Sequence, residues 1–232
     1  MNLLSSTTVF SFYTMLSRVL GYFRDILIAI FLGTSIYADA FFVAFRLPNT
    51  FRRLFAEGTF NAAFIPSYTS EKIKSKAQGK RFADEVLTLL TLGLLAIVLI
   101  VEIFTPYIVY LIAPGFIEDN IKFNLAVDLT RITFPFLAFV SLASFFAGIL
   151  NSENKFAAAA AAPIFLNLIL ILSLIISYYF KLDFALNLSY GVSLSGFIQL
   201  VFLIFFASKY YKPSLTLKNR IRQKVKFFLK KL

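Results

Sequence analysis

Long apolar runs, interrupted only by short charged segments, constrain this chain more than any other feature. Of its 232 residues 59% are hydrophobic and only 15% are charged, and the mean hydropathy is +0.80. A soluble domain carries about a quarter charged residues. In a bilayer a spanning helix needs about 20 mostly apolar residues and must satisfy its own backbone. The pattern therefore predicts an all-α, polytopic membrane helix bundle with about six spans: Val9–Leu32, Ala38–Phe64, Val86–Ile112, Phe123–Leu150, Ala157–Phe180 and Phe184–Ala207. Pro48 is expected to kink the second span by removing the hydrogen bond to the Ala44 carbonyl, and Pro66 to end it.

The charges between spans predict the topology. Lys72, Lys74, Lys76, Lys80 and Arg81 make the segment at 70–85 a cytoplasmic loop by the positive-inside rule. The turn at 113–120 carries Glu118 and Asp119 without a base, which suits the outside, and the loop at 151–155 returns to the cytoplasm. Residues 1–208 then form one transmembrane unit. The segment 209–232, with nine bases and no acid, reads as a basic cytoplasmic tail or linker, with an amphipathic stretch for anionic lipid. The net charge of +11 is thus a topological signal, and no nucleic-acid partner is expected. Cysteine and histidine are both absent, which removes disulfides, thiol nucleophiles and histidine acid–base chemistry. No Gly-rich phosphate loop or paired-acid metal motif occurs, so the expectation is a non-enzyme without cofactor or metal; a coupling ion or membrane potential stays open.

The charged residues inside the first two spans point to function. Placing Arg or Asp at the centre of a membrane helix costs about 2.5–3.5 kcal/mol each. Arg18, Arg24, Asp25, Asp39, Arg46, Arg52, Arg53 and Glu57 must therefore face a wet cavity, pair, or sit near an interface. Arg18 and Asp25 lie about 20° apart around the first helix, and Arg24 about 120° from Arg18. Gly21 near that face would allow close helix approach. Asp39, Arg46, Arg53 and Glu57 fall on one stripe of the second helix, with Arg53 and Glu57 able to pair; Arg52 is off that stripe. Snorkelling arginines on the first helix, and a juxtamembrane cluster on the second, are the plain alternatives. Arginines facing a cavity suit a phosphorylated amphiphile, because the guanidinium fork bonds phosphate bidentately; citrate, a nucleotide or a sulfated lipid would fit as well. Glu102, Asn151, Asn167 and a pair between Asp128 and Arg131 read as polar glue between helices.

Several stretches resemble the MurJ/MviN family of lipid II flippases: SRVLGYFRD at 17–25, DAFFVAFRLPNTFRRLFAEGTFNAAFIP at 39–66, APGF at 113–116, TFP at 133–135 and GILN at 148–151. The resemblance implies the multidrug/oligosaccharidyl-lipid/polysaccharide exporter fold, with two lobes around a central cavity and alternating access. This chain would be the N-terminal lobe, in a bacterial cytoplasmic (inner) membrane, with both termini cytoplasmic. Its partners would be the lipid-linked peptidoglycan precursor, membrane lipids and a C-terminal lobe missing here, so a fragment or half-protein is expected. By the same resemblance Arg24, Asp25 and Arg52 line the cationic cavity, with Ser17 and Asn49 as polar positions. Arg18, Asp39, Arg53 and Glu57 match charged positions required for activity. Arg18 counts with the substrate-binding set; Asp39, Arg46, Arg53 and Glu57 count as a gating or charge network. An ion-coupled drug or polysaccharide exporter of the same superfamily, a lipid-modifying transferase and a non-transporting single-lobe scaffold are the competing readings.

Overall fold

The computed structural model describes residues 3–56 and 59–214, with side chains described for 8–50 and 60–214. These residues form eight α-helices: α1 Leu3–Leu32, α2 Ile36–Ala56, α3 Thr59–Lys74, α4 Lys76–Ile112, α5 Asn120–Thr133, α6 Phe136–Ser152, α7 Phe156–Phe180 and α8 Phe184–Ala207. A 3₁₀ turn, Pro114–Glu118, joins α4 to α5. The connections carry local stop and start chemistry. α1 stops where Gly33 takes a positive φ of 57°, a conformation that costs glycine little. Ser35 then caps α2, accepting from the Ala38 N–H at 3.2 Å. Ser75, Asp119 and Asp183 cap α4, α5 and α8 in the same way.

Within the second expected span, α2 runs through Pro48 to Ala56 and α3 from Thr59 through Pro66 to Lys74, with 57–58 outside the described residues. Pro66 therefore lies inside a helix rather than ending one. The segment expected as a loop at 70–85 is helical on both sides of Ser75. Its Lys, Glu, Gln and Ala residues are good helix formers; their charge bears on membrane position, not on backbone conformation. The expected fourth span is one path from Asn120 to Ser152, broken at Phe134–Pro135.

Proline leaves a helix carbonyl without its N–H donor, and hydroxyls take over that role here. Thr133 Oγ1 on α5 donates to the Ala44 carbonyl below Pro48, at 3.0 Å. Thr105 Oγ1 donates to the Glu102 carbonyl below Pro106, at 3.0 Å, where Phe104 departs from helical geometry. Ser193 Oγ on α8 donates to the Ile132 carbonyl at the Pro135 break.

α1 packs on α7, α2 on α5, α3 on α4 and α6, and α8 on both α6 and α7. One core gathers Phe60, Phe64, Phe82, Phe145, Ile149 and Leu203 at the end where α3 meets α4. A second gathers Ile28, Phe41, Ala126, Phe136, Leu170 and Leu188 at the opposite end. The tightest helix approaches use glycines other than Gly21. A Cβ at Gly196 would lie 2.7 Å from the Phe136 ring, and one at Gly148 2.7 Å from Asn61 Oδ1. A Cβ at Gly21 would meet Asn167 at an ordinary 3.6 Å, so sterics do not require glycine there.

Among the described residues, four segments are long and apolar enough to cross a membrane: α4, α5 with α6, α7 and α8. α1 and α2, expected as spans, are not among them; α1 carries Arg18, Arg24 and Asp25, and α2 carries Asp39, Arg46, Arg52 and Arg53.

Candidate functional site

Phe10, Thr14, Ser17, Gly21 and Arg24 fall within about 80° of one another around α1, with Arg18 at the edge of that stripe. All six line a cavity of about 650 Å³, closed by Asn49 of α2, Asn61 of α3, Asn151 of α6 and the Ala159–Asn167 stretch of α7. The two charged faces expected for α1 thus merge: Arg18 and Arg24 open on one space, flanking a stripe centred on Ser17 and Gly21.

Arg24 is the best-held charge. Its Nε and Nη2 donate to Asp25 Oδ1 at 3.0 and 2.7 Å, and its Nη1 donates to Asn167 Oδ1 at 2.8 Å. Asn167 is buried, and its Nδ2 donates to the Ser17 carbonyl at 2.8 Å. That second bond fixes which amide atom faces the arginine. Guanidinium has five N–H donors; three are used, which leaves two for an anion. The Arg24 side chain is 17% exposed and that of Asp25 63%. The carboxylate is therefore water-screened and only partly offsets the arginine's field.

Two amide oxygens at the cavity, Asn61 Oδ1 and Asn151 Oδ1, are buried without a hydrogen-bond partner. A buried acceptor left unpaired costs about 1–3 kcal/mol, and both atoms belong to residues of the cavity wall. Asn151 and Asn167, expected as glue, both belong to this cavity; an amide on an otherwise apolar helix was the only sequence signal.

Ser17, Arg18, Arg24 and Asn49 are brought together, and Asp25 joins them through Arg24. Asp39 is elsewhere: its carboxylate takes Lys122 Nζ at 2.5 Å, with that ammonium 4.4 Å from the Phe116 ring centroid. It ties α2 to the start of α5, because at the first turn of α2 it lies about 14 Å along the helix from Pro48. Arg46 is exposed and does not line the cavity. Arg52 and Arg53 belong to α2 by backbone, but their side chains, like Glu57 altogether, lie outside the described residues. Asp128 and Arg131 form no ion pair with each other. Arg131 instead interacts electrostatically with Glu102 of α4, whose Oε1 is buried without a hydrogen-bond partner.

The model of the lipid II flippase MurJ family matches residues 28–232. The probable lipid II flippase MurJ of Rhizobium tropici is 46% identical over 192 residues, covering 81% of this chain and 36% of the relative. That of Rickettsia prowazekii is 40% identical over 210 residues, covering 90% and 41%. A solved structure of the lipid II flippase MurJ in an inward closed conformation superposes with a TM-score of 0.80 at 29% identity, covering 97% of this chain and 46% of that one. The chain thus spans less than half the length of these relatives and has the fold of one lobe of such a transporter. With the family model matched along most of its length, the chain belongs to the MurJ family of lipid II flippases.

Proposed function

We propose that this chain is the N-terminal lobe of a flippase that moves lipid-linked peptidoglycan precursor from the inner to the outer leaflet of the cytoplasmic membrane. Residues 1–208 are the lobe, the basic end faces the cytoplasm, and a second lobe completes the cavity for alternating access. The observation that carries the reading is Arg24, held at the cavity wall by Asn167 and Asp25 with two N–H groups unspent. A diphosphate supplies oxygens in the fork geometry that guanidinium matches. Arg18 adds charge, Arg52 is assigned to the same head group, and Ser17, Asn49, Asn61 and Asn151 suit its hydroxyls and amides. Asp39, Arg46, Arg53 and Glu57 are assigned to gating between states. Movement of the lipid, without covalent turnover, is the activity.

The test is flipping of a fluorescent lipid-linked diphosphate in vesicles, with this lobe joined to a second lobe of the family. Arg24→Ala should abolish most transport, and Arg24→Lys should retain part of it, since charge survives while the fork is lost. Unimpaired flipping by Arg24→Ala would remove the assignment.

A further inference from the structure

A second cavity, of about 460 Å³, lies at the end of the bundle where α3 meets α4, away from the arginine site. Lys72, Lys76, Lys80, Lys209 and Lys212 line it, against the single carboxylate of Glu153. Lys72 pairs with Glu153, and Lys80 pairs at 2.8 Å with the buried Asp84 behind the wall. Lys76, Lys209 and Lys212 have no carboxylate partner among the described residues. Five ammonium groups around one hollow repel one another, and only two are locally compensated.

The wall is built rather than incidental. Asp84 Oδ1 accepts from the Tyr211 hydroxyl at 2.6 Å and from the Ser214 N–H at 3.0 Å. These bonds hold the segment after α8, with Lys209 and Lys212, against α4. Tyr68 and Tyr211 are both buried beside the hollow. Burial, with Glu153 nearby, pushes the Tyr68 phenol up to about 12, so the aromatic wall stays uncharged and adds no anion of its own. α4 begins at Lys76, and the positive end of its dipole adds to the field.

We propose that this pocket binds a phosphate group, of an anionic phospholipid or of a soluble phosphate, at the basic end of the lobe. Clustered lysines favour an anion with several oxygens, and a basic hollow between helix ends at this level meets phospholipid head groups. The volume suits a single head group. Because the pocket joins α3, α4, the α6–α7 connection and the segment after α8, an occupant would bridge these elements.

The experiment is lysine footprinting on the full chain in nanodiscs. Three conditions are compared: phosphatidylcholine alone, phosphatidylcholine with phosphatidylglycerol, and phosphatidylcholine with added inorganic pyrophosphate. Acylation at Lys76, Lys209 and Lys212 should fall about fivefold or more in at least one charged condition, as Lys181 at the opposite end changes less than about twofold. Protection by phosphatidylglycerol assigns the lipid head group; protection by pyrophosphate alone assigns a soluble phosphate. Equal protection of Lys181 would reveal a general surface effect and overturn the site, as would no protection in either condition. The combined Lys76→Gln, Lys209→Gln, Lys212→Gln variant should weaken phosphate binding about a hundredfold, at about fivefold per lysine, with an unchanged melting temperature. Unchanged binding by that variant would also overturn it.

Discussion

Arg24 owes its position to a neutral side chain on another helix. Asn167 accepts from the guanidinium and donates to the Ser17 carbonyl, so it orients the charge without cancelling it. Losing a hydrogen bond to a charged group costs about 1.5–3 kcal/mol. Asn167→Ala should therefore weaken head-group binding roughly tenfold. Asn167→Asp should weaken it further, because a second carboxylate on Arg24 would repel the incoming anion. Calorimetric titration with a soluble lipid-linked diphosphate analogue checks the order; tighter binding by the aspartate variant would contradict it. The arginines of α1 were legible in the sequence because their cost in a bilayer demands a reason. Asn167 was not, because one amide in an apolar helix is equally at home as interhelical glue, and only the packing of α7 against Gly21 decides.

At the scale of the helix, prolines and hydroxyls act as pairs. The sequence indicated that Pro48 would strand the Ala44 carbonyl, but not which group would rescue it. Thr133 does so from 89 residues away, and it is fully buried. Thr133→Val keeps the shape and removes the donor; it should destabilise the lobe by about 1–2 kcal/mol, whereas Thr133→Ser should be close to neutral. Thermal unfolding in detergent measures the difference, and equal melting of the valine and serine variants would show that the bond contributes nothing. The helical conformation of the lysine-rich segment at 70–85 was not read from the sequence, where its charge spoke for membrane position and its good helix propensity went unused.

For the whole molecule, the lysine-lined hollow lies at one end and Glu118, Asp119 and Asp183 at the other, and the positive-inside rule predicts from this that the lysine end is cytoplasmic. The all-α bundle was legible from hydropathy alone, as membrane helices must be apolar in sequence as well as in space. The cavity was expected only through the family resemblance, since hydropathy does not show how five helices converge. With no native cysteine, single cysteines can be placed at Lys76, Asn154 and Asp119. An impermeant thiol reagent on intact cells should label only position 119; labelling at position 76 would reverse the orientation. The central claim, that the α1 cavity takes a phosphorylated lipid head group through Arg24, is tested most directly by the affinity of the two-lobed protein for its lipid-linked diphosphate. Arg24→Ala should lower that affinity about tenfold or more at unchanged expression, and wild-type affinity in that variant would contradict the claim.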